Sequence, residues 1–139
     1  MLSAYPACFY EEHEGGYSVI FPDLNHLGTC GDTLEEAFAM AIDLLAGYLY
    51  DLKREKKALP VPSDMKNIDV NDEYDEYKNA FVNIVTVDVE EYAKTHFETP
   101  VKKTLTIPKW LNDTAVASKI NFSKVLQTAL MKELKIGSY

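Results

Sequence analysis

The last forty residues contain one short strand with no second strand to pair with it, and this limits the possible folds most strongly. Residues 103–107, KTLTI, alternate polar and apolar side chains, which predicts a strand that ends at Pro108. Two short amphipathic helices follow, and Ser123 is the expected N-cap of the second. A single strand leaves its backbone amides and carbonyls unpaired, so this segment cannot form a stable unit alone.

Pairing of two copies about a twofold axis would satisfy this lone strand. The two strands would form an antiparallel ribbon, and the apolar face of the ribbon would be buried against four helices. The expected dimer core consists of Leu105, Ile107, Trp110, Leu126 and Leu130. The sequence leaves open whether such dimers pair further into a tetramer.

The opposite face of the ribbon predicts DNA binding, because a two-stranded ribbon is narrow enough to enter the major groove. Threonine side chains on this face would meet base edges, while the neighbouring lysines would attract phosphates. Free amides at the start of the last helix would hold a further phosphate. The residues expected to contact DNA are Lys102, Lys103, Thr104, Thr106, Ser123 and Lys124.

The charge of the chain changes sign at about residue 98. Residues 1–98 hold 7 Lys and Arg against 20 Asp and Glu, a net charge of −13. Residues 99–139 hold 7 Lys against 2 acidic residues, a net charge of +5, so the whole chain carries −8. An acidic body followed by a basic segment predicts two partners of opposite charge.

The first ninety residues predict a small sheet with one helix, which makes the fold class α+β. Aromatic and β-branched runs at 5–10 and 17–21 flank Gly15-Gly16 and predict a hairpin, and a short third strand is expected at 27–30. The run FVNIVTVDV at 81–89 predicts a buried strand of the same sheet, so that the element order is ββ(β)αβ.

The helix of this region has a clear start. Thr33-Leu34-Glu35-Glu36 is a capping box, and apolar residues then recur at spacings of three and four to about Arg54. The polar stretch after it carries an acidic insert at 64–76 and is expected to be a surface loop. Three domains follow from this pattern: a sheet-and-helix domain at 1–89, a linker at 90–100 that is a short connector or one helical turn, and a basic domain at 101–139.

The sequence predicts no catalytic site, no metal site and no cofactor. The acidic residues of the first half lie at the spacing of turns, and His13, His26 and His96 lack the spacing of metal ligands. Cys8 and Cys30 are expected to be reduced, half-buried apolar residues. Because no apolar run is long enough to span a bilayer and no signal peptide is apparent, we expect a cytoplasmic protein without membrane contact.

Two resemblances cover nearly the whole chain. Residues 101–136, VKKTLTIPKWLNDTAVASKINFSKVLQTALMKELKI, resemble a ribbon-helix-helix DNA-binding domain of the Arc and MetJ class. The segments YPA at 5–7, GGY at 15–17, FPDL at 21–24 and GDTLEEA at 31–37 resemble the N-terminal domain of HicB-type antitoxins, which is a partial ribonuclease H fold.

The HicB resemblance implies an antitoxin that inhibits a HicA-type mRNA-cleaving ribonuclease and represses its own operon by binding operator DNA as a dimer. In that family the toxin is small and basic, so an acidic first domain suits it. Toxin contacts are expected near the matching hairpin and turn. The expected contact residues are Tyr17, Phe21, Asp23 and Leu24.

Two other functions remain open from the sequence. The chain could be a stand-alone ribbon-helix-helix transcriptional regulator whose first domain senses a small molecule or assembles oligomers. It could also be a nuclease with its own DNA-binding domain, which metal-dependent cleavage by the purified protein would reveal. A neighbouring gene that encodes a small basic protein would favour the antitoxin.

Overall fold

The chain folds into two units that divide between Thr99 and Pro100. The structure is a computed structural model that describes residues 1–136. Residues 137–139, the end of the expected basic domain, lie outside the described part. Among the described residues, no helix is both long enough and apolar enough to cross a membrane.

A four-stranded antiparallel sheet forms the first unit. Its strands are β1 (Leu2–Glu11), β2 (Tyr17–Phe21), β3 (Leu27–Gly31) and β4 (Asn79–Asp88), in the spatial order β3-β2-β1-β4. Gly15 and Gly16 form the turn between β1 and β2 with φ angles of +97° and +80°, which glycine adopts without strain. The predicted hairpin, the third strand and the return of the last strand to the same sheet are therefore confirmed.

The long helix α1 (Leu34–Arg54) begins and ends where the sequence predicts. The Thr33 hydroxyl accepts a hydrogen bond from the Glu36 amide at 3.1 Å. The Glu36 carboxylate in turn accepts one from the Asp32 amide at 2.9 Å, one residue earlier than in the usual capping box.

The main core lies between α1 and one face of the sheet. Gly31 allows the start of α1 to approach β3 closely, since a Cβ atom there would lie 2.4 Å from the amide nitrogen of Ala37. Each large apolar side chain that is fully buried in this core contributes about 1.5–3 kcal/mol to the stability of the unit. The buried core residues are Tyr5, Ala7, Phe9, Val19, Phe21, Leu24, Ala37, Ala41, Leu45, Ala46, Leu49, Val85, Val87 and Val89.

The other face of the sheet is covered by the acidic segment, which we define as residues 60–78. Tyr10 and Cys8 alternate with Phe9 along β1, so they point to this second face, and both are fully buried. The Tyr10 hydroxyl donates to the Val70 carbonyl oxygen at 2.6 Å. The acidic segment is therefore more than the expected surface loop, because its backbone covers the second face while its carboxylates, except that of Glu73, are exposed.

The end of the first unit differs from the prediction. The sequence predicts a buried strand at 81–89, but β4 is an edge strand in which only Val85 and Val87 are buried. The expected linker contains the helix α2 (Val89–His96), which Asp88 caps by accepting a hydrogen bond from the Glu91 amide. Helix α2 packs on α1 through apolar and polar contacts, which a linker would not make.

The second unit consists of the helices α3 (Lys109–Ala117) and α4 (Phe122–Glu133), preceded by residues 100–108. The expected strand at 103–107 is not formed by the single chain, because a strand requires a hydrogen-bonded neighbour. The N-cap of α4 is Asn121 rather than Ser123, since the Asn121 side chain accepts a hydrogen bond from the Lys124 amide at 3.0 Å.

Candidate functional site

The second unit exposes an unusual amount of apolar surface. Leu105 is 62% exposed and Trp110 is 70% exposed, and neither α3 nor α4 contains a buried residue. Ile107 and Leu130 are also exposed, while Leu126 is partly buried. Exposed apolar patches of this kind mark interaction surfaces, because covering them with another molecule removes apolar surface from water, which is favourable. All five residues expected in the dimer core are therefore available to a partner.

The residues expected to contact DNA lie before α3 and in the first turn of α4, and all are exposed. Lys102 and Lys103 form no ion pair with the described residues, whereas the ammonium of Lys109 lies 2.7 Å from the Asp113 carboxylate. Their charges are thus free to attract a phosphate. Thr104, Thr106, Ser123 and Lys124 are exposed as well.

Two of the four residues expected to contact a toxin are buried in the core of the first unit. The side chains of Phe21 and Leu24 have no exposed surface, so they belong to the core and cannot touch a partner. This burial corrects their assignment as contact residues. Tyr17 is partly buried at the edge of the core and keeps some exposed surface.

Asp23 has a structural role that the sequence did not indicate. Its carboxylate accepts hydrogen bonds from the Ser63 amide at 2.8 Å and from the Ser63 hydroxyl at 2.5 Å. The nearby Tyr5 hydroxyl donates to the Pro60 carbonyl oxygen at 2.6 Å. Burial raises the pKa of Tyr5, and the Asp23 charge adds to this effect. These contacts hold the start of the acidic segment against the sheet.

A second anchor holds the far part of the acidic segment. The Nδ1 atom of His26 lies 2.8 Å from both carboxylate oxygens of Glu73, whose side chain is only 10% exposed. His26 itself has a φ of +56°, which is uncommon for a residue other than glycine. The Tyr74 hydroxyl also donates to the Glu12 carboxylate at 3.1 Å. The partners in these contacts are 47 and 62 residues apart, so no local pattern could have predicted them.

The two cysteines have different environments. Cys8 is buried on the second face of the sheet, and burial raises the pKa of its thiol, which keeps the thiol protonated and unreactive. Burial also strongly raises the pKa of the neighbouring Tyr10. Cys30 is exposed on β3, contrary to the expectation that both cysteines are half-buried. Within residues 1–136, no group of three or more His, Cys, Asp or Glu side chains is arranged to hold a metal ion.

Sequence comparison relates the chain to a family of antitoxins. Residues 5–129 match the family described as HicB_like antitoxin of bacterial toxin-antitoxin system. Antitoxin HicB 1 of Photorhabdus laumondii subsp. laumondii is 44% identical over 68 residues, which are 48% of this chain and 44% of that relative. Antitoxin HicB 2 of the same organism is 42% identical over 59 residues, 42% of each chain. The chain thus aligns with less than half the length of these two curated relatives.

Two solved structures extend the similarity to the whole chain. A chain of a toxin–antitoxin complex from Streptococcus pneumoniae is 34% identical, with a TM-score of 0.65 and coverage of 96% of this chain and 99% of that one. The antitoxin HicB of Burkholderia pseudomallei has a TM-score of 0.50 over 97% of this chain and 98% of that one. Because it is 18% identical, it supports the similarity of fold alone.

Proposed function

The chain belongs to the HicB-like antitoxin family of bacterial toxin–antitoxin systems, and on that premise we propose that its first unit inhibits a HicA-type ribonuclease toxin while its second unit represses its own operon. The observation that carries this proposal is the family match over residues 5–129, which extends across both units. The relative from Streptococcus pneumoniae belongs to a toxin–antitoxin complex and aligns along 96% of this chain, which supports a toxin partner.

The toxin-binding role falls to the first unit for electrostatic reasons. With a net charge of −13 over residues 1–98, this unit attracts a basic protein over long distances and competes with the RNA that such a toxin would bind. The unit has its own core between α1 and the sheet, so it does not need the second unit to fold. Tyr17 and Asp23 remain the proposed toxin contacts, and Asp23 also holds the start of the acidic segment through Ser63.

Residues 1–99 alone are expected to neutralise the toxin. Co-expression of this fragment with the toxin should restore bacterial growth to the level seen with the full chain, whereas residues 100–139 should give no rescue. The alternative of a stand-alone regulator predicts no rescue by either fragment. Continued toxicity despite soluble expression of residues 1–99 would contradict the proposed role of the first unit.

The DNA-binding role falls to the second unit as a dimer. Two copies of residues 103–107 would pair as an antiparallel ribbon, with Leu105 and Ile107 turned toward the helices and Thr104 and Thr106 toward the major groove. Lys102 and Lys103 would contact phosphates, and Ser123 and Lys124 would contact a phosphate at the start of α4. The exposed apolar surface of the unit and its net charge of +5 both support this arrangement.

Substitutions of Thr106 and Lys102 are expected to weaken DNA binding in different ways. Thr106→Ala should cost about 1–3 kcal/mol on the operator and little on random DNA, because a base contact is lost. Lys102→Ala should weaken both about equally and reduce the slope of log K against log salt by about one unit per contact, about two per dimer. Titrations of both DNAs across a salt series measure these effects. Operator binding by Thr106→Ala at the wild-type level would refute base reading by the ribbon.

A further inference from the structure

Strand β3 leaves one edge of the sheet open. The Glu12 amide donates a hydrogen bond to the Gly16 carbonyl oxygen, so these two residues form a hydrogen-bonded pair. In antiparallel strands, such pairs alternate with pairs whose backbone groups point away from each other. The alternation turns the backbone groups of Thr29 toward β2 and those of Gly28 and Cys30 outward. Within the described residues of the first unit, the outward groups of Gly28 and Cys30 have no hydrogen-bond partner.

The opposite edge of the sheet is partly closed by one of its own side chains. On β4 the outward amide of Ile84 donates to the Asn83 side chain at 2.9 Å, so this position cannot pair with another strand without breaking that bond. Edge strands that lack such protection are templates for pairing with another chain. Of the two edges, β3 is therefore the less protected against pairing with another strand.

A cleft of about 350 Å³ runs beside β3 and gives an added strand a place to bury side chains. Its floor is largely apolar, with Met40 47% exposed and Cys30 also exposed. The cleft lies along the exposed side of the first turns of α1, so a strand paired with β3 would also contact this helix. The residues that line the cleft are Cys30, Gly31, Asp32, Glu36, Ala39 and Met40.

The charge around this cleft is negative. Asp32, Glu35 and Glu36 stand where β3 ends and α1 begins, and residues 1–52 contain no Lys or Arg. The first basic residue of α1, Lys53, lies about 25 Å from Glu36 along the helix axis. A second copy of this chain paired edge to edge would bring these carboxylates together, whereas a basic partner would neutralise them.

We propose that β3 accepts an extended segment of a basic protein as a fifth strand, and that the segment lies in the cleft beside α1. This inference rests on the proposed function, because the basic protein it commits to is the toxin. Backbone hydrogen bonds to Gly28 and Cys30 hold the segment, the apolar floor takes its inward side chains, and the carboxylates of Asp32, Glu35 and Glu36 attract its cationic side chains.

A matched pair of proline variants of the full chain tests the backbone pairing. Cys30→Pro removes an outward amide on β3, and Thr86→Pro removes an outward amide on β4, since Thr86 lies two residues beyond Ile84 on the same strand. Isothermal titration with the purified toxin, made inactive at its catalytic residue, is expected to show an affinity loss of about tenfold or more for Cys30→Pro. Thr86→Pro should bind within about twofold of wild type.

A second pair of variants tests the charge without changing the backbone. Glu35 and Glu90 are both exposed, and each is the second residue of its helix, so Glu35→Lys and Glu90→Lys change net charge and helix-dipole interactions equally. The association rate with the toxin at low salt is expected to fall about tenfold for Glu35→Lys and clearly less for Glu90→Lys. Equal effects of the two would mean that only net charge matters, and would overturn the local assignment.

Amide hydrogen exchange on the wild-type complex provides a test that needs no variant. The amides of Gly28 and Cys30 are expected to exchange much more slowly in the complex than in the free chain. A wild-type chain that does not bind the toxin would refute the proposed function itself. Binding with unprotected edge amides, or with equal losses in both proline variants, would refute only the strand pairing. Self-association that Cys30→Pro abolishes, with toxin affinity unchanged, would assign the edge to a second copy instead.

Discussion

Replacing Leu105 with glutamate is expected to abolish the dimer of the second unit and to lower operator affinity by about a hundredfold or more. In the proposed ribbon, Leu105 lies on the apolar face that meets the helices of both chains. A carboxylate at this position would lose its hydration without gaining a partner, and the same charge on the second chain would lie close to it. A monomer then holds only one half of the ribbon, so neither groove entry nor two-site binding is possible.

Sedimentation velocity and operator titration measure this effect. Leu105→Met keeps an apolar side chain and should leave both the dimer and operator binding nearly unchanged. Gln127→Glu, at an exposed position on α4, changes the charge by the same amount and should cost far less affinity. Because Leu105 lies outside the first unit, Leu105→Glu should still neutralise the toxin. A stable dimer of Leu105→Glu would refute the proposed ribbon.

Replacing Gly31 with alanine is expected to destabilise the first unit by about 3 kcal/mol. A Cβ atom at this position would lie 2.4 Å from the Ala37 amide nitrogen, 2.7 Å from the Glu36 carbonyl carbon and 2.9 Å from the Ala37 Cα atom. All three are backbone atoms of the first turns of α1, so no side chain can rotate away. The start of α1 must shift off β3, which also disturbs the contact between Thr33 and Glu36.

Gly47→Ala is the matched control for Gly31→Ala. A Cβ atom at Gly47 would meet only the Phe97 ring, at 3.8 Å, which is an ordinary contact. Since Gly47 lies inside α1, alanine is expected to stabilise the unit by up to about 1 kcal/mol. Urea unfolding of both variants, followed by circular dichroism, gives the two free energies of unfolding. A Gly31→Ala variant as stable as wild type would contradict the close approach of α1 to β3.

Much of the first unit could be predicted because its signals are local. The capping bond between Thr33 and Glu36 joins residues three apart, and the turn at Gly15-Gly16 sets the pairing of the strands on either side. The change of net charge from negative to positive likewise indicated the division between the two units near residue 98. The full length of helix α2 was missed, and one helical turn at most was expected there, because the helix has only eight mostly polar residues and its stability comes from packing on α1.

The candidate site was predicted less completely. The aromatic and turn residues of the FPDL segment suggested a contact surface, but Phe21 and Leu24 face the core and Asp23 binds Ser63. An apolar residue near a turn has the same local pattern whether it packs inward or meets a partner. The open edge at β3 was also missed, because whether a strand lies at the edge of a sheet depends on the order of all four strands.

The sequence by itself determined the α+β class, the bounds of α1 and β2, and the division into an acidic and a basic part, since these depend on residues within a few positions of each other or on composition. Only the tertiary structure decided that the acidic segment seals the second face of the sheet and that β3 stays open. The position of the acidic segment depends on contacts such as Asp23 with Ser63 and His26 with Glu73, 40 and 47 residues apart, and the open edge depends on the order of all four strands. Such long-range contacts contribute free energy only after folding has brought the distant residues together.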